Sequence, residues 1–246
     1  CEVDLNNNAI VDAFDISSTA SLDLNTNGIP DEAEPVRIYV DPSAAGTGLG
    51  DSWADARTDL QTALGLAQRS GGMVAAVWVA SGVYTPAPAP NRAVPFELVS
   101  GVEVYGGFAG DETDLSERDW RANPSILSGD LLGDDGPGFA NIDDNTISVV
   151  WASYTDDTAL LDGFFIRGGN CGFDTSDCWF TPYSGGGGNR CFAGDAVFRN
   201  CSIARHVAQT GGGVYVVHTG PHAFLVSDSI VDRATGYMLP SRSRAV

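Results

Sequence analysis

The sequence predicts an all-β fold in which short strands stack as a solenoid, behind a small metal-binding segment. Two observations support the stacked strands. The apolar runs are short and bounded by glycine, which accounts for 30 of the 246 residues. Similar units also recur along the second half of the chain at a spacing in the twenties, which is typical of stacked repeats.

The recurring unit combines a glycine run with a later Asn or Asp. The glycine triplets 186–188 and 211–213 correspond, and a matching polar position is Asn200 in one unit and Asp228 in the next. An earlier unit carries Asp162 in the same apolar-polar-small pattern. In a solenoid each unit buries its inward side chains against its neighbours, so these three polar residues are expected to line up at one corner.

One helix is predicted before the strands. Leu60, Ala63, Leu64 and Ala67 recur at helical spacing on one face, and Gly71 ends the pattern. An Asp three residues after a Ser, in the stretch 52–55, has the spacing of a capping box. The predicted strands are Ile38–Val40, Val74–Ala80, Phe96–Val99, Val102–Tyr105, Ile126–Leu127, Ile147–Trp151, Leu160–Ile166, Ala196–Ile203, Gly213–Val217 and Phe224–Val231.

Several of these stretches resemble the amino-terminal part of bacterial pectin-lyase-like proteins. The resemblance covers roughly residues 37–235 and is carried by Ile38-Tyr-Val-Asp41, Asp51-Ser-Trp53-Ala-Asp55, Val77-Trp-Val-Ala80, Tyr105-Gly-Gly-Phe108, Leu115-Ser-Glu-Arg118-Asp-Trp120, Ile126-Leu-Ser-Gly129-Asp130 and Leu161-Asp-Gly163-Phe. It implies a right-handed parallel β-helix over residues 36–246, with the helix as an N-terminal cap. Since the last residues lack a further glycine-rich unit, the β-helix is expected to be incomplete at its C-terminus.

Residues 23–34 fit the calcium-loop pattern D-x-[DN]-x-[DN]-G-x5-E. Calcium takes six to eight oxygen ligands at flexible distances, and Gly28 allows the sharp turn that such a loop needs. The predicted ligands of this second loop are Asp23, Asn25, Asn27, the carbonyl of Ile29, Asp31 and Glu34.

A weaker copy lies nineteen residues upstream, over residues 4–15. It has Ala9 where the pattern has glycine, and it ends in an Asp in place of Glu. Between the two copies the chain is long enough for about two helical turns. The predicted ligands of this first loop are Asp4, Asn6, Asn8, the carbonyl of Ile10, Asp12 and Asp15.

Two D-L-N-x-N loops around a short helix resemble dockerin modules and the calcium repeats of thrombospondin type 3. The resemblance implies an EF-hand-like calcium segment over residues 1–35, with Ca²⁺ as the bound ion and a cohesin-like or other surface protein as a partner. Pro35 stands where a dockerin has its second helix, and the alternative is an acidic, Asn-rich linker that holds no metal.

Charge restricts the partners. The formal net charge is −19, all 13 basic residues are Arg, and the first 35 residues carry eight acids and no base. Such a field repels nucleic acid and anionic lipid, and no apolar run is long enough to span a membrane. We therefore expect an extracellular or cell-surface protein without nucleic-acid partners.

The five cysteines form no C-x-x-C pair, so a zinc ribbon is not expected. Cys171 with Cys178, and Cys191 with Cys201, are spaced for local disulfides. Cys1 is left over, either to pair outside this sequence or as the lipid-modified residue of a lipoprotein.

Two classes of function are compatible with these patterns. The favoured one is a non-catalytic calcium-binding protein for attachment to a polysaccharide or a protein. The alternative is a carbohydrate-active enzyme, either a pectate-lyase-like polysaccharide lyase or a glycoside hydrolase, acting on an acidic polysaccharide. No catalytic residue is assigned: the lyase candidates Arg199, Arg205 and Arg233 lack a recognisable constellation, and the acid pairs at 134–135, 143–144 and 156–157 read as solvated turns or extra calcium ligands.

Overall fold

The computed structural model describes residues 4–5, 8, 10–21, 23, 28–30, 36–172, 187–192, 194–208, 212–217, 225–227 and 230–231. Within them lie two α-helices, α1 (Asp12–Ser17) and α2 (Leu60–Arg69), and two 3-10 turns, Leu115–Glu117 and Ile142–Asp144. The strands are β1 (Val36–Val40), β2 (Val74–Ala80), β3 (Gly82–Tyr84), β4 (Phe96–Glu97), β5 (Glu103–Phe108), β6 (Ser125–Ser128), β7 (Val150–Trp151), β8 (Leu160–Asp162), β9 (Phe164–Arg167), β10 (Asn189–Phe192), β11 (Val197–Arg199), β12 (Ser202–Ala204), β13 (Val214–Val217), β14 (Leu225–Ser227) and β15 (Ile230–Val231).

The strands form three sheets, and every described strand pair is parallel. Sheet 1 has the order β1-β2-β5-β8-β11-β14, sheet 2 the order β13-β10-β7-β4, and sheet 3 the order β15-β12-β9-β6-β3. From β2 onward, successive strands enter sheet 1, sheet 3 and sheet 2 in turn. Residues far apart in the chain therefore become neighbours across each sheet.

The expected all-β right-handed parallel β-helix is corrected by this architecture. The fold is of the α/β type, with parallel sheets and few helices. Helix α2 does not stand apart as a terminal cap, because Leu60, Ala63, Leu64 and Ala67 belong to the same buried cluster as the strand residues Val36, Val74 and Phe96. The helix and the strands share one core, so treating the helix as an accessory misjudged the fold class.

The predicted apolar face of α2 is confirmed, but its predicted start is wrong. The four buried positions of the helix are those that the periodicity indicates. The N-cap is Asp59, whose side chain accepts a hydrogen bond from the Gln61 amide at 2.9 Å. Ser52 does bond to the Asp55 amide, but that contact lies in the turn ahead of the helix.

Sheet 1 separates two apolar clusters. Alternate side chains of a strand point to opposite faces, so Val77 and Val79 enter the main core while Trp78 packs on the other side with Phe108. The Trp78 and Phe108 rings stack with centroids 4.5 Å apart. The Arg37 guanidinium lies 3.7 Å from the Trp78 ring centroid, and the outer face of the sheet is therefore packed as well as the inner one.

Three long predicted strands, Leu160–Ile166, Ala196–Ile203 and Phe224–Val231, are each divided in two, and the turn is described in the first two. Gly163 separates β8 from β9 and has a φ of +86°, while Asn200, at the end of β11, has a φ of +52°. A positive φ turns the chain sharply out of the extended conformation, and this turn sends the next strand into sheet 3. No helix among the described residues is long and apolar enough to cross a membrane.

Candidate metal centres

The first loop gathers its described carboxylates around α1. Asp12 and Asp15 lie on that helix and are buried, at 3% and 0% exposure. The Leu5 amide donates to Asp12 Oδ1 at 2.9 Å, and Asn8 Nδ2 donates to Asp15 Oδ2 at 2.8 Å. The Asn8 amide donates to Asp4 Oδ1 at 3.2 Å. Four of the predicted ligands are thus linked, directly or through the loop backbone.

Asp12 contributes a buried oxygen that no described residue of this loop donates to. Asp12 Oδ2 is buried and has no hydrogen-bond partner among the described residues. A buried carboxylate oxygen without a donor or a cation is costly, and a hard cation bound in the loop would satisfy it. The side chain of Ile10, whose carbonyl is the predicted ligand, is exposed. Asn6 lies outside the described residues.

The second loop is described only in part. Asp23 Oδ2 accepts a hydrogen bond from the Gly28 amide at 2.9 Å, and Gly28 has a φ of +84°. This closes the turn that the calcium-loop pattern requires of its first and sixth positions. Ile29 is partly buried. The other predicted ligands of this loop, Asn25, Asn27, Asp31 and Glu34, lie outside the described residues.

A third acidic group lies in the loop between β6 and β7, here called the acidic loop (residues 130–145). Asp130, Asp134 and Asp144 each bring a carboxylate oxygen within 4.8 Å of the others, close enough to hold one metal ion. Backbone amides hold two of these carboxylates. Asp130 Oδ1 accepts from Gly133 at 2.7 Å, and Asp144 Oδ2 accepts from Leu132 at 2.9 Å.

Two further side chains flank the three aspartates. Asn145 is 1% exposed and donates from Nδ2 to Asp135 Oδ2 at 3.0 Å. Burial raises the pKa of the Asp135 carboxyl, and the nearby charges of Asp130 and Asp144 add to the rise against the opposing hydrogen bond from Asn145. Asp135 Oδ1 and Asn145 Oδ1 are both buried without a hydrogen-bond partner in the described part of the chain. The sequence indicated the acid pairs 134–135 and 143–144 but not Asp130 or Asn145, because only the folded loop brings these residues together.

The candidate catalytic arginines that are described make structural contacts. Arg199 Nε lies 2.6 Å from Asp162 Oδ2, and Arg205 Nη2 donates to the Gly136 carbonyl at 2.9 Å. Arg233 lies outside the described residues. His206 is fully buried between a backbone donor and a backbone acceptor. These contacts anchor loops and strands.

The expected alignment of polar residues at one corner is found for the two of them that are described, Asp162 and Asn200. Asn200 Nδ2 donates to Asp162 Oδ1 at 2.8 Å, which joins the polar positions of two successive units. Asp228, the third member, lies outside the described residues.

The two predicted disulfides have different outcomes. Cys171 is disulfide-bonded, as expected, although Cys178 lies outside the described residues. The pairing of Cys191 with Cys201 is wrong, because Cys201 carries a thiol and is not part of a disulfide. Its side chain is fully buried near the turn between β11 and β12, where it packs in the main core.

Comparison with known proteins gives no further assignment: no protein-family model, no curated protein and no solved structure matches this chain.

Proposed function

We propose that the chain is a calcium-binding protein of the cell exterior, with a non-catalytic role in binding or attachment. The observation that carries the proposal is the buried Asp12 Oδ2, which faces no protein donor in the described residues. It belongs to a segment that contains one loop fitting the calcium pattern and, around Asp12 itself, a weaker copy of that loop. Ca²⁺ suits the predicted ligands because all of them are oxygens.

Two properties support a location outside the cell. Cys171 is in a disulfide, and disulfides persist mainly in oxidising compartments. The net charge of −19 favours a protein that is surrounded by cations and kept apart from nucleic acid.

An attachment role is supported by the surface of the same segment. Leu5, Ile10 and Phe14 are exposed at 46%, 41% and 60%, respectively. Exposed apolar side chains grouped on one short segment are typical of contact sites. A protein partner of the cohesin type or a polysaccharide would bind there or on the sheets, and calcium would fix the segment in its binding-competent shape.

The test is a calorimetric calcium titration of chelator-stripped protein and of Asp12→Asn, which keeps the size of the side chain and removes its charge. We expect the substitution to weaken one binding event by about tenfold or more, which corresponds to roughly 1.4 kcal/mol. Asp23→Ala and Glu34→Ala test the second loop in the same way. Asp111→Asn is the matched control, since this exposed aspartate lies in the loop after β5 and belongs to none of the candidate metal sites.

Unchanged binding in Asp12→Asn would overturn the assignment of the first loop. If none of the three loop variants alters the titration, the segment over residues 1–35 is an acidic linker. A circular dichroism spectrum that matches the parent protein shows that each variant is folded.

A further inference from the structure

We propose that the acidic loop is a second calcium site, independent of the N-terminal segment, and that the ion clamps the connection between β6 and β7. Its ligands would be the carboxylates of Asp130, Asp134 and Asp144, with the buried Asn145 amide beside them. Nothing in the N-terminal segment is needed for this site.

Three carboxylates within 4.8 Å of one another repel strongly unless a positive charge lies between them. The acidic loop contains Asp143 as well, and it has no basic residue between positions 130 and 145. Two guanidinium groups donate to backbone carbonyls of the loop, Arg92 to Asn145 at 2.6 Å and Arg205 to Gly136 at 2.9 Å, and neither arginine takes part in the two described ion pairs. A divalent cation would supply the missing charge.

The buried amide gives a second, independent indication of a ligand. Asn145 is 1% exposed, yet its Oδ1 has no hydrogen-bond partner among the described residues. A single point, where a Cβ on Gly168 would lie, is 3.1 Å from the Asp130 amide nitrogen and 3.4 Å from both Asn145 Nδ2 and Asp135 Oδ2. The Asn145 amide therefore lies beside Asp135 and the Asp130 backbone in the acidic loop, and its orphaned, buried oxygen is costly without a cation or a donor.

The kinds of ligand atom in the acidic loop indicate which ion would bind there. The available ligands are carboxylate, amide and backbone oxygens, and neither sulfur nor imidazole is among the clustered residues. Such a set favours a hard cation. An irregular loop of this length adapts more readily to the flexible geometry of Ca²⁺ than to the strict octahedron of Mg²⁺.

The position of the loop explains what the ion would do. The Asp130 carboxylate already accepts from the amides of Gly133, Asp134 and Asp135, which form one end of the loop. Asp144 belongs to the 3-10 turn that precedes β7 and reaches back to the Leu132 amide. An ion shared by Asp130 and Asp144 would tie the exit of sheet 3 to the entry of sheet 2.

The proposal is tested with Asp134→Asn in the full chain. The Asp134 carboxylate is exposed and takes part in none of the described side-chain hydrogen bonds, so its loss should leave the loop folded. We measure hydrogen exchange of the amides of residues 131–136 with and without about 1 mM Ca²⁺, a concentration suited to extracellular sites. The parent protein and Asp12→Asn should both gain protection on calcium addition, whereas Asp134→Asn should lose most of that gain.

The control is Asp111→Asn, an exposed position outside the candidate metal sites, which should behave like the parent protein. No calcium-dependent protection in the parent, or equal protection in Asp134→Asn, would overturn the second site. Because Asp12→Asn reports on the first loop alone, failure of the N-terminal site and failure of this site give different results. An Asp130→Asn and Asp144→Asn double variant that also loses the protection would support the same three-carboxylate site.

Discussion

Asp162 and Arg199 face each other across β8 and β11, with the Arg199 Nε atom 2.6 Å from Asp162 Oδ2. Asp162 is fully buried, and its other oxygen accepts from Arg118 Nη2 at 2.9 Å and from Asn200 Nδ2 at 2.8 Å. One buried carboxylate on β8 thus binds Arg118 and the consecutive residues Arg199 and Asn200, which joins three separate parts of the chain.

We expect Asp162→Asn to destabilise the protein by roughly 3–5 kcal/mol, since removing one partner leaves a poorly solvated charge without its counter-ion. The effect should come mainly through Arg118, whose side chain is 12% exposed, against 43% for Arg199. Urea unfolding of Asp162→Asn, Arg118→Gln and Arg199→Gln measures this. Arg199→Gln should cost about 1 kcal/mol or less, and equal losses for the two arginine variants would contradict the assignment.

His206 should make stability depend on pH. Burial lowers its pKa to about 4, from an ordinary value of 6.5, although a hydrogen bond to the Ile166 carbonyl acts in the opposite direction. Because the folded pKa is depressed, the unfolded chain binds the proton more tightly. The contribution of His206 is therefore complete above pH 6.5 and is lost as the pH falls toward 4, by roughly 2 kcal/mol between pH 7 and pH 5.

The measurement compares urea unfolding of the parent protein and His206→Gln over that pH range. The variant should be less stable at pH 7, because the contacts to Gly169 and Ile166 are disturbed. The difference between the two proteins should shrink as the pH falls, since only the parent carries the titrating group. A difference that stays constant with pH would show that His206 does not titrate on unfolding.

Local patterns gave the elements of this fold more reliably than its class. The buried face of α2 follows from its helical periodicity, and the bounds of β2 follow from its apolar run. The division of residues 160–166 at Gly163 was missed because a Gly inside an apolar run is also compatible with one continuous strand. The class was misjudged because nothing local shows that Leu60 and its neighbours share a core with Phe96.

The candidate sites also differ in how far the sequence could predict them. Both N-terminal loops are contiguous motifs, so their ligands could be named from spacing alone. The acidic loop has no motif, and Asp130 meets Asp144 only because the chain between them folds back. Arg118 and Asp162 are 44 residues apart, and their contact depends on the order of strands in sheet 1.

Cys201 should be unreactive until the protein unfolds. Burial raises the pKa of its thiol to about 12, and the side chain is fully enclosed. Since the thiolate is the reactive form, a thiol reagent should modify Cys201 only in denaturant, at a rate that follows global unfolding. Mass spectrometry of peptides after pulse labelling locates the modification, and Leu132→Cys, at a position 64% exposed, provides a thiol that should react at once. Rapid labelling of Cys201 in the native protein would contradict its burial.

Gly163 should tolerate no side chain. Its φ is +86°, and a Cβ there would lie 2.8 Å from the Gly106 carbonyl oxygen and 2.6 Å from Arg118 Nη1. Gly101 is the matched control, because it has a similar φ of +78° but no atom within 4 Å of the added carbon. Gly101→Ala should therefore cost only the backbone strain, about 1 kcal/mol. Gly163→Ala should cost roughly 3 kcal/mol, since overlap with the neighbouring strand adds to that strain. Thermal unfolding of the two variants isolates the steric part, and equal losses would show that the close approach of β5 to this turn is not needed for stability.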